Sequence, residues 1–447
     1  MLSFKKLDTS QGVTRSMHIA IRKNNRWKEL SLGIIINIIL ISGLTLLSLA
    51  KNATVPKSLW PTALLVGLLY MVGHLAIRLF APLADPTLFP LGGFLTTVGF
   101  ICISRLDPEQ AQAQALWILV ALTAFCATLG VIQKTITLEN YRYLSLIGAV
   151  TALLLPLTPG IGREIYGSRL WINIGGFTIQ PGELAKILLI IFLASYLSDR
   201  KELLSAANKK LRLKDVAPLV FALSLSIIIM VLEKDLGSSL LFYSLFLCLI
   251  YVASKRISFV IIGLAAFGIA AYVSYKIFGH VEVRVTTWLD PWADPQGDGY
   301  QLIQSWFAFA NGGVSGTGLG LGTPNLIPKV STDFIFAAIA EELGLAGSIA
   351  VLIALLLICT VAFRIALNAS KDFSKLLATG CGAILAIQSF IIIGGILRII
   401  PLTGLTIPFV SYGGSSLLAN FIILAILLRI SDEETRLKLM YLSAARR

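Results

Sequence analysis

The stretch Trp288-Leu-Asp-Pro-Trp-Ala-Asp-Pro-Gln-Gly-Asp-Gly-Tyr300 sets three carboxylates, Asp290, Asp294 and Asp298, among turn-forming residues. Asp290 and Asp294 each precede a proline, which disfavours the helical region for the preceding residue and makes the segment stiff and extended. A carboxylate fixed in this way suits a general base that removes a proton from a hydroxyl group. Asp-Pro and Asp-Gly also simply make turns, and spacing alone favours that reading. The strict calcium-loop spacing of an EF-hand is absent.

Other polar groups sit at the ends of apolar runs. Thr332-Asp-Phe-Ile-Phe-Ala-Ala-Ile-Ala-Glu-Glu342 opens a long apolar segment, with Asp333 and Glu341 on one helical face. Glu183 and Lys186 begin another run, and Glu233 and Asp235 precede a third. Ionisable groups at membrane depth are costly and mark function unless they pair structurally; both readings stand for these residues. Gly167-Ser-Arg-Leu-Trp-Ile172 and Ile179-Gln-Pro-Gly-Glu-Leu-Ala-Lys186 place Arg169 and Lys186 where they could meet a pyrophosphate; interfacial anchoring beside Trp171 is the alternative for Arg169. In Pro408-Phe-Val-Ser-Tyr-Gly-Gly-Ser-Ser416, small residues favour close helix packing, and backbone N–H groups near Gly413 and Gly414 could face an anion. Asn311-Gly-Gly-Val-Ser-Gly-Thr-Gly-Leu-Gly-Leu-Gly322 lacks the Gly-Lys-Ser/Thr end of a P-loop and reads as a turn or re-entrant segment rather than a phosphate cradle. His18, His74 and His280 form no cluster, and there is no His-Glu-x-x-His or Cys-x-x-Cys, so hydrolytic triads and a dedicated zinc site are poor fits.

The elements that must position these groups are membrane spans. The 447 residues are 56% hydrophobic and 14% charged, with mean hydropathy +0.83. About twelve apolar segments approach the ~20 residues that cross a bilayer: 32–50, 58–80, 87–104, 111–133, 143–157, 183–198, 216–232, 236–254, 258–278, 332–363, 376–399 and 407–430. The tenth is long enough to tilt or to extend beyond the hydrocarbon. The expected fold is therefore an all-α polytopic helix bundle. The formal net charge of +13 is no nucleic-acid signal, because Lys and Arg cluster at the ends of apolar runs: in the N-terminal head, at Arg200, Lys201, Lys209, Lys210, Arg212 and Lys214, at Lys255 and Arg256, at Arg364, Lys371 and Lys375, and at Arg446 and Arg447. With an even number of spans all of these fall on one side, so both termini are expected to be cytoplasmic. The other side holds two long loops, 158–182 and 279–331, of the kind that carries function. The five cysteines lie in apolar stretches without disulfide or zinc spacing. The basic head leads into an apolar run without a cleavage pattern and is expected to be a retained first span.

Taken in order, the motifs resemble the SEDS family of FtsW, RodA and SpoVE. The matching segments are Arg105-Leu-Asp107, Arg169-Leu-Trp-Ile172, Gln180 to Lys186, Glu233-Lys-Asp-Leu-Gly237, Asp294-Pro-x-Gly-x-Gly-Tyr-Gln301, Gln304-Ser305, Gly312-Gly313, Thr332 to Phe336 with Glu341-Glu-Leu-Gly344, Pro401-Leu-Thr-Gly404 and Pro408 to Ser416. The resemblance implies a peptidoglycan glycosyltransferase that polymerises lipid II, with Asp294 at the family's essential loop aspartate. It implies substrate contacts from Arg105, Arg169, Lys186, Glu183, Asp235, Gln304, Ser305, Asp333, Glu341, Ser411 and Ser415. The implied partners are lipid II, an undecaprenyl-pyrophosphate-linked glycan, a class B penicillin-binding transpeptidase and other elongasome or divisome membrane proteins. No metal ligand set is assigned, although the pyrophosphate chemistry leaves a divalent cation, Mg or Mn, open. The resemblance also divides the chain into a cytoplasmic tail (1–31), two additional spans (32–80), the polymerase core (81–430) and a basic tail (431–447), an extended form similar to actinobacterial RodA and pointing to elongation ahead of division. Gly182, Ser331 and Ile392 depart from the family's usual Ser, His and Asn, and Arg398 adds a charge near the outer end of the eleventh span. A lipid II flippase and a non-catalytic scaffold that activates a transpeptidase are the rival readings; a transporter commonly carries internal repeats, and the sequence has none evident.

Overall fold

A computed structural model describes residues 2–52, 59–165, 168–204 and 213–445. Gly167, Lys209, Lys210, Arg212, Arg446 and Arg447, used in the sequence reading, lie outside the described residues.

The chain is a helix bundle. The helices are α1 (Leu2–Asn52), α2 (Leu59–Phe80), α3 (Leu88–Leu106), α4 (Pro108–Val131), α5 (Arg142–Leu154), α6 (Pro181–Asp199), the short α7 (Lys201–Leu204), α8 (Leu213–Leu232), α9 (Leu236–Ser254), α10 (Ile257–Ile277), α11 (Gly279–Leu289), α12 (Tyr300–Gly312), α13 (Ile335–Asn368), α14 (Asp372–Ile396) and α15 (Gly414–Ala445). Among the described residues ten helices are long and apolar enough to cross a membrane, and α5 and α8 occupy the places of the fifth and seventh expected spans. Helices α3, α6, α14 and α15 are buried over most of their length, whereas α10 buries almost none of its surface.

Side-chain contacts gather the connections at two ends. At one end Lys201 meets Asp372, Arg142 meets Asp199, Thr135 meets Glu433 and Ser370 meets Glu434. At the other end the 158–182 connection is tied to the starts of α9 and α15, where the Arg169 N–H donates to the Glu233 carbonyl and the Gln180 N–H to Ser415 Oγ.

Neither this connection nor the 279–331 one is an open loop. The first contains a three-stranded antiparallel sheet: β1 (Gly162–Ile165), β2 (Ser168–Ile174) and β3 (Phe177–Ile179), in that order. Gly175 and Gly176, at φ 59° and 88°, close the β2–β3 hairpin, because a two-residue hairpin turn needs positive φ. The second contains α11 and α12. The last span starts later than expected. Residues 401–413 are not helical, since Pro408 lacks an N–H, Phe409 sits at φ 67° and Ser411 Oγ takes the Ile407 N–H at 2.9 Å. Gly99 of α3 admits this segment, as a Cβ there would lie 2.1 Å from the Val410 carbonyl oxygen.

The long α13 solves its length by breaking. Gly344 has φ 65° and ψ −163°, and the glycine-rich segment packs into the break: the Thr317 N–H donates to Glu341 O at 2.9 Å and the Leu345 N–H to Gly313 O at 3.0 Å. The two leading helices are fastened to the rest by buried polar contacts. Arg26 pairs with Glu29 and donates to the Ala84 carbonyl at 2.6 Å, and Glu29 meets His74 Nδ1 at 2.7 Å.

Candidate active site at the loop end of the bundle

The turn around Asp294 follows from its residues. Helix α11 stops at Asp290, because Pro291 cannot supply an N–H, and Asp290 Oδ1 caps the next short turn by accepting the Trp292 N–H at 3.1 Å. Asp294 then accepts twice: its Oδ1 from the Gly297 N–H at 3.0 Å and its Oδ2 from the Asp298 N–H at 3.2 Å. A Cβ at 297 would lie 2.1 Å from Asp294 Oδ2, and one at 299 would lie 1.9 Å from the Pro291 carbonyl oxygen. Gly299 is thus a steric requirement of this turn, while Gly297 leaves the Asp294 carboxylate its place. The side chain stays exposed. A carboxylate offers about four acceptor positions, so capacity remains for a partner from outside the chain.

Asp298 leads directly from this turn into a cavity of about 180 Å³ between α11, α12, α14 and the 401–404 segment. Arg284, Trp288, Asp298, Gln301, Lys329, Asp333, Thr403 and Gly404 give it its polar character. Arg284 donates to the Thr403 carbonyl at 3.1 Å, and Gln301 to the Pro328 carbonyl at 2.6 Å. Burial pushes the Asp333 carboxyl above its ordinary range, against the opposing pull of the Thr332 hydroxyl, Lys329 and Arg284. Asp235 caps α9 by accepting the Ser238 N–H at 2.9 Å. Its carboxyl is likewise raised by burial, with Ser238 and Arg284 opposing and Glu183 adding to the rise.

Beneath the cavity runs a chain of polar contacts. Lys186, almost fully enclosed, pairs with Glu183 and donates to Gln388 Oε1 at 3.0 Å. Gln388 donates to the Thr406 carbonyl at 2.8 Å, and the Thr406 hydroxyl meets Ser416 Oγ at 2.9 Å. Ser415 takes the Gln180 N–H, and Ser411 donates to the Thr332 carbonyl at 2.6 Å. These contacts bind the starts of α6, α13 and α15 into one floor. Ser305 is buried and donates to the Leu302 carbonyl at 2.6 Å, while Gln304 on the same helix is half-buried.

Two groups named by the sequence stand elsewhere. Arg105 is buried against Glu342 at 2.6 Å, the Gly322 carbonyl at 2.7 Å and Asn325 at 3.2 Å. Next to it Glu341 accepts the Thr323 N–H at 2.9 Å. This cluster seats the glycine-rich segment on α13 and does not line the cavity. Arg169 lies exposed on β2 and pairs with Glu164 at 3.2 Å. Conversely, Arg284 and Lys329 line the cavity without having been singled out from sequence. Arg284 carried a readable signal, a lone cation on an amphipathic stretch just before the Asp-Pro turn. Among the described residues no group of three or more His, Cys, Asp or Glu side chains is placed to hold a metal ion.

The architecture is that of a multi-pass helix-bundle protein of the cytoplasmic membrane with a polar cavity at one end. A family model for FtsW, RodA and SpoVE, described as "Cell cycle protein", matches residues 87–436, and the chain belongs to that family. It is 44% identical over 416 residues to the peptidoglycan glycosyltransferase RodA of Mycobacterium tuberculosis H37Rv, covering 89% of each chain. It is 45% identical over 379 residues to the Mycobacterium leprae protein of that name, covering 81% of each. The probable peptidoglycan glycosyltransferase FtsW of Geobacter metallireducens is 36% identical over 303 residues, 67% of this chain and 78% of that one. Among solved structures, a chain from work on the structural coordination of polymerization and crosslinking by a peptidoglycan synthase complex superposes with TM-score 0.68 at 26% identity, covering 78% of this chain and 98% of that one. Thermus thermophilus RodA superposes with TM-score 0.59 at 24% identity, covering 78% and 97%, a likeness of fold.

Proposed function

We infer that the protein is a peptidoglycan glycosyltransferase that polymerises lipid II at the outer face of the cytoplasmic membrane. The observation that carries the mechanism is an exposed carboxylate, Asp294, held by its own turn and one hydrogen bond from Asp298, which lines a polar cavity. Asp294 takes the proton from the acceptor sugar 4-hydroxyl as that oxygen attacks the anomeric carbon of the donor. The bond from that carbon to undecaprenyl pyrophosphate breaks with inversion, and the pyrophosphate leaves with the electron pair. Fixed cations offset the leaving charge. Arg105 and Lys186 are surrounded by internal partners, which supports giving this role to Arg284 and Lys329, which line the cavity.

In this reading 81–430 is the polymerase core and 32–80 an added pair of spans, with both termini cytoplasmic and the Asp294 turn outside. A class B penicillin-binding transpeptidase is its partner, in keeping with the synthase complex in which the structural relative was studied. The purified chain, given lipid II, should produce glycan strands resolved by gel electrophoresis. A folded chain that yields none, alone or with a transpeptidase, would support the scaffold or flippase reading instead.

A further inference from the structure

Arg398 is an unusual residue in an unusual place. It follows α14 with φ 60°, a left-handed conformation that a non-glycine residue adopts at an energetic cost. Its side chain reaches the loop that carries Asp294 from both flanks. Before the turn, Nε donates to the Trp288 carbonyl at 2.7 Å and Nη2 donates to the Leu289 carbonyl. After the turn, the guanidinium lies 5.7 Å from the ring centre of Trp306 on α12. Trp288 answers with its own donor, Nε1 to the Arg398 carbonyl at 3.1 Å. One side chain thus ties the end of α11 and the body of α12 to the end of α14, and Asp294 lies on the span of chain between those two anchors.

The contacts need a guanidinium. Its planar fork can serve two carbonyls and still lie against an aromatic ring, whereas an ammonium has no plane to stack. Glycine would accept the backbone conformation more readily, so the strain is retained together with a side chain that fastens this loop. Trp288 also lines the cavity, so the same contacts fix one cavity wall relative to Asp294.

We propose that Arg398 is a positioning residue for the glycosyl transfer: it clamps the two flanks of the Asp294 turn and so fixes where that carboxylate stands over the cavity. This rests on the polymerase reading above. Holding a reacting group in place acts on the chemical step, and a misplacement of about 1 Å can cost about 100-fold.

The test compares purified wild type, Arg398→Gly and Arg398→Lys for lipid II polymerisation, with kcat and KM separated, alongside thermal melting and hydrogen exchange over residues 286–308. Arg398→Gly should lower kcat about 10- to 100-fold with KM changed by less than about threefold. Its melting midpoint should stay close to wild type, while exchange quickens across the turn. Arg398→Lys should fall between the two. Wild-type kcat in folded Arg398→Gly overturns the proposal, as does a loss that merely tracks unfolded protein. Should Arg398→Gly fail to fold, full wild-type kcat in Arg398→Lys overturns it. A wild-type chain that does not polymerise lipid II defeats the polymerase reading instead, so the two failures are distinct.

Discussion

Asp294 and Gly297 are built against each other: the Gly297 N–H donates to Asp294 Oδ1 at 3.0 Å, and a Cβ at 297 would fall 2.1 Å from Oδ2. The carboxylate is therefore aimed by backbone it could not share with a side chain. Gly297→Ala should displace it and lower polymerisation about 10- to 100-fold, since positioning contributes that much to a reacting group. The turn is exposed, so the melting midpoint should barely move. Equal activity in a folded Gly297→Ala protein would mean that the turn does not set the reaction geometry.

Lys186 separates structural from substrate-binding roles. It is enclosed with Glu183 and Gln388, and removing one member of a buried pair costs about 3–5 kcal/mol because the other charge is left behind. Lys186→Met should lower the melting temperature strongly, and Lys186→Met with Glu183→Gln should recover much of the loss. If Lys186 also touches substrate, the recovered double variant will fold but polymerise poorly. Recovery of both stability and activity would restrict the pair to holding the floor of the site together.

Glu233 gives a pH signature. Burial, with a further contribution from Asp235, lifts its carboxyl from 4.5 to about 8, and its Oε1 is buried without a hydrogen-bond partner. The neutral form is favoured in the folded chain, so its contribution to stability is complete below pH 4.5 and is lost as pH rises from there to about 8. Glu233→Gln should flatten the fall in melting temperature across that window. An unchanged pH profile would show that Glu233 titrates normally.

The break in α13 depends on glycine at two places. Gly344 stands at φ 65°, and Gly316 at φ 81° would bring a Cβ within 2.3 Å of the Glu342 carbonyl oxygen. Gly316→Ala should cost about 1–3 kcal/mol, the scale for a residue forced into such backbone. Thermal melting would register it, and a neutral result would show that the glycine-rich segment can re-seat.

Among the described residues ten helices were legible as spans because each is an apolar run long enough to cross a bilayer, and the ends of α2, α4, α6, α9 and α10 fall within a few residues of the expected ones. The Asp294 turn was half legible: Asp-Pro and Gly announce a turn, but only the ordered motifs separated Asp294 from Asp290 and Asp298. What sequence could not supply was pairing across distance. Arg284 stands in the sequence only as a lone cation before the Asp-Pro turn, and the fold brings it to Thr403, Asp235 and Asp333. Arg105 stands among the implied substrate contacts, and the fold encloses it with Glu342 and Gly322. The small sheet was hidden for another reason, since its strands are short and their hairpin turn rests on Gly175 and Gly176 in a stretch that reads as loop.

The central claim is that Asp294 removes the proton from the acceptor hydroxyl. The most direct measurement is the polymerisation rate of purified Asp294→Asn on lipid II, beside wild type and with folding verified by melting. Asparagine keeps the size of the side chain and loses the base, so the rate should fall about 100- to 10,000-fold, the usual contribution of general base catalysis. A folded Asp294→Asn protein that lengthens glycan strands at the wild-type rate would contradict the account.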